Sequence, residues 1–235
     1  MTTQIPVGQI PVGRILVGMS ITEADRRDEL IRAAAASDAS IAFLQQADPS
    51  LSAELTRLSD AGATRITLVG VGLGPLGPAV SWLRRIAAYW WRERPGDRPE
   101  ILVATRLARS LDEIDGVLSE VREITGTEPG LTSAAWESVT RHRHQVMVCR
   151  GPRCTAKGAD ESLRAMILAM MEHNLGDDDV LLVHTGCQFP CNQSPVVSVQ
   201  PDDVWYGHVD PAAAARIVAE QLVEGRPVES HRLPR

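Results

Sequence analysis

The residues best suited to chemistry in this 235-residue chain are its four cysteines, Cys149, Cys154, Cys187 and Cys191. They form two pairs, C-x4-C and C-x3-C, with 32 residues between the pairs. All six histidines lie after position 141, so residues 1–140 contain neither Cys nor His. Chemistry that needs a soft metal ligand or a proton carrier near neutral pH therefore belongs to the C-terminal part of the chain.

Each cysteine pair lies in a loop that follows a predicted strand, over residues 145–149 and 180–184. If these strands are parallel neighbours, both loops leave the sheet at the same edge and four thiolates converge. Four thiolates are a ligand set for zinc and for an iron–sulfur cluster, and the spacing alone leaves both open. No C-x-x-C redox dithiol occurs, and disulfides are disfavoured in a cytoplasmic setting.

The pattern of apolar segments predicts an α/β protein with two domains. Over residues 14–124, strands alternate with helices, which indicates a parallel sheet with flanking helices on both faces. The predicted strands cover residues 14–20, 39–45, 65–71 and 101–105, and the predicted helices cover 23–36 (with Thr22 as N-cap), 49–61, 79–94 and 111–124. Residues 125–144 are rich in Gly, Pro, Thr and Ser and are predicted to be a linker.

The second predicted domain, residues 145–233, is a small thioredoxin-like α/β unit. Its order is strand, helix, three strands and a closing helix. The helices are predicted at residues 160–174 and 211–224, and the last two strands at 196–200 and 205–208. The Gly and Pro residues of both cysteine loops keep those loops tight and let backbone N–H groups approach metal-bound sulfur.

Composition excludes several classes of protein. Apolar residues make up 44% of the chain and charged residues 23%, as in globular proteins. The net charge is −6, from 24 basic and 30 acidic residues, and neither half has the basic excess that nucleic-acid binding requires. No apolar run approaches the ~20 residues that cross a bilayer. Residues 1–13 lack the pattern of a signal peptide, so we expect a flexible arm and a cytoplasmic protein.

Residues 145–233 resemble the thioredoxin-like [2Fe-2S] ferredoxins. The resemblance rests on VCRGPRC at 148–154, TGCQFPC at 185–191, WYGHV at 205–209 and the closing segment at 212–229. It implies a [2Fe-2S] cluster with Cys149, Cys154, Cys187 and Cys191 as ligands. It also implies electron transfer with a redox partner protein, and a homodimer.

Residues 14–124 resemble one half-unit of the sirohydrochlorin chelatases, which insert cobalt or iron into a tetrapyrrole. The matching segments are ILVGMS at 15–20, the block at 42–77 and EILVATRLARS at 100–110. These chelatases use histidines at two places, but here Met19 stands in the first turn and residues 74–79 read GPLGPA. Insertion needs an imidazole or a similar base, so we expect no catalytic residue in this domain.

The leading prediction is a [2Fe-2S] electron carrier, and not an enzyme. Its degenerate chelatase-like domain would bind a partner or a tetrapyrrole. One alternative is a cobalt or iron chelatase of cobalamin or sirohaem synthesis. Another is a redox sensor or adaptor controlled by the state of its cluster.

Overall fold

The computed structural model of the protein describes residues 12–74 and 77–234. The chain divides between Ala134 and Ala135 into two compact units, called here unit 1 and unit 2. The predicted arm lies outside the described residues except for Val12 and Gly13, which begin the first strand. None of the helices in the described part of the chain has the length and apolar character needed to cross a bilayer.

Unit 1 is a five-stranded sheet with the strand order β2-β1-β3-β4-β5. The first four of these strands are parallel, and β5 runs antiparallel to β4 at the edge. The strands are β1 (Val12–Gly18), β2 (Ser40–Phe43), β3 (Arg65–Val71), β4 (Glu100–Ala104) and β5 (Val121–Glu123), and the helices are α1 (Ile21–Asp25), α2 (Arg27–Ala36), α3 (Leu51–Asp60), α4 (Val80–Glu93) and α5 (Ile114–Val117).

Two predicted helices of unit 1 are wrong in part. The helix expected over residues 111–124 is a 3-10 turn, the four-residue α5 and the strand β5. Gly116 weakens a helix at this point, and the residues that follow pair with β4. The helix expected over residues 23–36 is broken at Arg26, and Ser20 caps it instead of Thr22, because Ser20 and Glu23 form a capping box.

The sheet of unit 1 is covered on both faces. Ile15 and Val17 of β1 pack into one apolar cluster with Leu83 of α4, and Leu16 packs into the opposite cluster with Leu30 of α2. Burial on both faces explains the continuous apolar runs of its strands. The first residues of the predicted linker also pack here, since Glu128 forms an ion pair of 2.7 Å with Arg84 of α4.

Unit 2 is a four-stranded sheet with the order β7-β6-β8-β9. Strand β6 is parallel to β7 and antiparallel to β8, and β8 forms a hairpin with β9. The strands are β6 (His144–Cys149), β7 (Val180–Thr185), β8 (Val197–Gln200) and β9 (Val204–Tyr206), and the helices are α6 (Pro152–Ala156), α7 (Ala159–Glu172), α8 (Pro211–Arg216) and a π-helical turn (Ile217–Val223).

Helices α7 and α8 cover one face of the unit 2 sheet. Val146 and Val148 of β6 pack with Met166 of α7 and Ile217 of the π-helical turn. The central strand β6 is therefore held in place by the core. The loop that follows it starts from a fixed position.

Candidate metal centre

Both cysteine loops leave the unit 2 sheet at the same edge. Cys149 is the last residue of β6 and lies opposite Thr185, the last residue of β7. The first cysteine loop (residues 149–154) and the second cysteine loop (residues 185–191) therefore start side by side; Cys154 itself lies in α6, and Cys191 begins a 3-10 turn. The parallel pairing of β6 with β7 is what brings together cysteines that are far apart in sequence.

The two loops enclose a cavity of about 160 Å³. All four predicted ligands line it, together with Gly151, Pro152 and Arg153. Its volume is several times the roughly 30 Å³ that one water occupies. Cys149 and Cys154 are buried at 1% exposure, whereas Cys187 is exposed and Cys191 is half-buried. The end of the cavity at Cys149 and Cys154 is therefore buried, and the end at Cys187 opens to the surface.

The four thiols lie within reach of one another. The Sγ atoms of Cys187 and Cys191 lie 3.1 Å apart, and the buried thiol of Cys149 interacts with the thiols of both Cys154 and Cys187. Within residues 12–74 and 77–234, no group of three or more His, Cys, Asp or Glu side chains could hold one metal ion. A [2Fe-2S] cluster spreads four cysteine ligands over two irons, so four thiols around one cavity fit it.

A glycine allows the two cysteine loops to touch. A Cβ atom on Gly151 would lie 3.0 Å from both the Cα and the Cβ of Cys187. Those neighbours are close to the main chain and cannot rotate away. The first cysteine loop therefore needs glycine at this position so that Cys187 can lie against it.

Gln188 fixes the second cysteine loop to the sheet. Its Nε2 donates to the carbonyl of Met147 at 3.1 Å and to Thr185 Oγ1 at 2.7 Å. Its Oε1 accepts from the buried hydroxyl of Ser198 at 2.9 Å. The loop is thus tied to β6 and β8 through one side chain. Nothing in the sequence predicts this role, because its partners Met147 and Ser198 lie on other strands.

Backbone N–H groups are directed at the buried thiol. Burial raises the pKa of Cys149, while hydrogen bonds from the N–H groups of Gly151 and Gln188 lower it. These donors stabilise negative charge on the sulfur, as a metal-bound thiolate requires. This donor set fits an iron–sulfur cluster.

The thiols of Cys187 and Cys191 are joined by a hydrogen bond. The hydrogen bond with Cys191 lowers the pKa of Cys187, and the N–H of Phe189 and the nearby Arg153 lower it further. The same hydrogen bond raises the pKa of Cys191. Cys187 is therefore the first of the two to become a thiolate, the form that binds metal.

The histidines do not line the cysteine cavity. His208 lies in a neighbouring groove with Lys157 and Glu161. Burial, followed by the charge of Arg150, lowers the pKa of His184. The cavity described above has only cysteine side chains as metal ligands.

Among the residues that the structure describes, the edge of unit 1 at which open α/β sheets bind ligands carries no cluster of metal-ligating side chains. Met19, at the position of the first chelatase histidine, is 1% exposed and belongs to the core. Glu23 is fully buried; its carboxylate accepts from the N–H of Ser20 at 2.7 Å and from the N–H of Leu73 at 2.6 Å. Two residues of the predicted Gly-rich loop, at positions 75 and 76, lie outside the described part of the chain.

Comparison with known proteins supports the interpretation of unit 2. A family model for the thioredoxin-like [2Fe-2S] ferredoxins matches residues 134–222. A 2Fe-2S ferredoxin of Aquifex aeolicus (strain VF5) is 36% identical over 76 residues, which are 32% of this chain and 68% of the relative. A relative from Priestia megaterium, named as a 2Fe-2S ferredoxin, is 35% identical over 83 residues, or 35% of this chain. The chain spans 64% of the length of the relative from Priestia megaterium.

A solved structure aligns with a larger part of the chain. SirB from Bacillus subtilis with Fe3+ is similar over 76% of this chain and 68% of its own, at 12% identity and a TM-score of 0.36.

We expect Gly151→Ala to lower the cluster content of the protein severalfold. The added methyl group meets Cys187, and such overpacking costs about 1–3 kcal/mol. Gly186→Ala is the matched control, because a Cβ at Gly186 meets nothing within 4 Å. Iron per chain and visible absorbance measure both variants. Equal cluster content in the two variants would show that the loop contact is not required.

Proposed function

This chain belongs to the thioredoxin-like [2Fe-2S] ferredoxins and carries a [2Fe-2S] cluster, and we propose that it works as a one-electron carrier. The observation that supports this proposal is the cavity where four thiols meet, buried at one end and exposed at the other. The cluster supplies, when bound, a centre that accepts and releases one electron.

We infer the distribution of the ligands from the burial of the four thiols. In this proposal Cys149 and Cys154 hold the buried iron, and Cys187 and Cys191 hold the iron nearer the surface. The buried pair receives backbone hydrogen bonds, which favour the more negative, reduced state. The exposed pair places one iron near the surface, so that an electron has only a short distance to travel to a partner. Thiols that stay free to bind iron fit a cytoplasmic location.

We propose that unit 1 serves binding rather than metal insertion. No histidine occurs in residues 1–140, and the side chain of Met19 packs into the core. A thioether is also a soft ligand, poorly suited to the hard ions that a chelatase handles. A tetrapyrrole or a protein partner remains the proposed ligand, at the carboxyl ends of the strands of unit 1.

Anaerobically purified protein should be red-brown and contain about two irons and two sulfides per chain, because four thiolates complete one [2Fe-2S] cluster. Iron, acid-labile sulfide and zinc analysis tests this. One zinc per chain without sulfide is the composition of a structural zinc site, and finding it would contradict the proposal.

Replacing any one of the four cysteines by alanine should remove more than half of the bound iron and destabilise unit 2, since metal binding contributes to folding free energy. Asn192→Ala is the control, since Asn192 is exposed and adjoins Cys191 without lining the cavity. Absorbance and thermal unfolding are the measurements. A cysteine variant with an unchanged spectrum identifies a residue that is not a ligand.

The protein should not insert cobalt or iron into sirohydrochlorin above the uncatalysed rate. Unit 1 lacks the imidazole that would hold the metal and accept pyrrole protons. Met19→His should not create activity, because position 19 lies in the core and the second histidine is absent as well. Absorbance of the metallated product measures the rate. Rapid insertion by the wild-type protein, abolished by changes within residues 72–78, would refute this expectation.

A further inference from the structure

The side chain of Gln188 lies on the face of the unit 2 sheet that is opposite the helices. On β8, Val197 and Val199 pack into the core under α7 and α8, so Ser198 between them points to the other face. Ser198 is 0% exposed, and its hydroxyl donates to Oε1 of Gln188 at 2.9 Å. A buried hydroxyl needs a partner within the protein, and Gln188 provides it.

The amide of Gln188 is fixed in one orientation. Its Nε2 donates to the carbonyl of Met147 at 3.1 Å and to the hydroxyl of Thr185 at 2.7 Å. A carbonyl can only accept a hydrogen bond, so Nε2 must face Met147 and Oε1 must face Ser198. Three hydrogen bonds therefore hold this one side chain against β6, β7 and β8.

The same hydrogen bonds continue to the buried sulfur of Cys149. The hydroxyl of Thr185, which accepts from Gln188, donates to the carbonyl of Gly186 at 2.9 Å. That carbonyl also accepts from Sγ of Cys149 at 3.5 Å, and the backbone N–H of Gln188 donates to the same sulfur. The side chain and the backbone of Gln188 thus belong to one ring of hydrogen bonds that closes at Cys149. When the sulfur is a thiolate, the Gly186 carbonyl keeps Thr185 as its donor.

We propose that Gln188 is a positioning residue of the metal centre: anchored by Ser198, it holds its own N–H on the sulfur of Cys149 and thereby sets the reduction potential of the cluster. The inference rests on the proposed one-electron transfer. Hydrogen bonds to the ligand sulfurs raise the reduction potential, because reduction adds a negative charge that the N–H dipole stabilises. Cys149 is 1% exposed, and a hydrogen bond is strongest where water is absent.

Removing the anchor tests this role without removing a residue that lines the cysteine cavity. In Ser198→Ala the N–H of Gln188 loses its fixed position. We expect the equilibrium constant for reduction of the holoprotein to fall about tenfold, which is about 59 mV for one electron. Dithionite supplies the electron in a mediated redox titration, which is followed by visible absorbance and by the electron paramagnetic resonance of the reduced cluster. Ser198→Thr keeps the hydroxyl and should keep the wild-type potential.

The sign of the shift separates positioning from a general loosening of the loop. A loosened loop admits water, which stabilises the more negative reduced state and would raise the potential, whereas loss of the N–H contact lowers it. Ser162→Ala is the matched control. Ser162 of α7 is 1% exposed, but its hydroxyl donates to the carbonyl of Val209 and not to the second cysteine loop. Ser162→Ala should lower the melting temperature and leave the reduction potential unchanged.

A double variant tests whether Ser198 acts through Gln188. Gln188→Met replaces the amide by an apolar side chain of similar length and should also lower the potential. Ser198→Ala combined with Gln188→Met should then have the potential of Gln188→Met alone, because two independent effects would add. Hydrogen–deuterium exchange of the holoprotein is a readout that does not depend on electron transfer. The backbone N–H of Gln188 should exchange faster in Ser198→Ala than in Ser198→Thr or Ser162→Ala.

The proposal is overturned if Ser198→Ala has the wild-type potential or a higher one, if the two shifts add in the double variant, or if exchange at Gln188 is unchanged. Should Gln188→Met fail to hold a cluster, the comparison of Ser198→Ala with Ser198→Thr and Ser162→Ala still decides. Failure of the proposed function looks different. In that case the wild-type protein itself lacks iron and sulfide, or its cluster cannot be reduced and reoxidised, so that there is no potential to compare.

Discussion

The contact of Gly151 with the backbone of Cys187 is the constraint on which the cysteine cavity depends. It closes the space between two loops that start side by side at the ends of β6 and β7. Without it, Cys187 and Cys191 would lie farther from the buried thiols of Cys149 and Cys154. Parallel pairing of β6 with β7 places both loops at one edge of the sheet, and the absence of a side chain at Gly151 lets the loops touch. The ligand geometry therefore depends on backbone packing as much as on the cysteines themselves.

The two units use the carboxyl ends of their strands in different ways. In unit 2 that edge holds thiols and a cavity open to the surface. In unit 1 the same kind of edge contains Glu23, whose carboxylate binds the N–H groups of Ser20 and Leu73 and so joins the turn after β1 to the loop after β3. The Glu23 carboxylate is therefore occupied by hydrogen bonds that position these two loops. Residues 1–140 contain no histidine that could replace it.

The sequence predicted the parts of the fold that follow from apolar periodicity and turn residues. The strand at residues 65–71 and the helices α3, α4 and α7 are found within a few residues of their predicted bounds. The helix expected over residues 111–124 was wrong because β5 gains its stability from pairing with β4, which no local pattern contains. For the site, cysteine spacing and resemblance identified the four thiols. Gln188 and Arg153 could not be found in this way, since their roles depend on which atoms lie near them after folding.

The hydrogen bonds of Gln188 have a consequence for the rate at which an electron can move. Because its amide joins the second cysteine loop to β6 and β8, the segment that carries Cys187 and Cys191 is anchored to the sheet by protein contacts. If the proposed cluster binds here, ligands anchored in this way would have little freedom to follow a change of one electron. A small nuclear rearrangement between the two oxidation states would favour fast exchange of the electron.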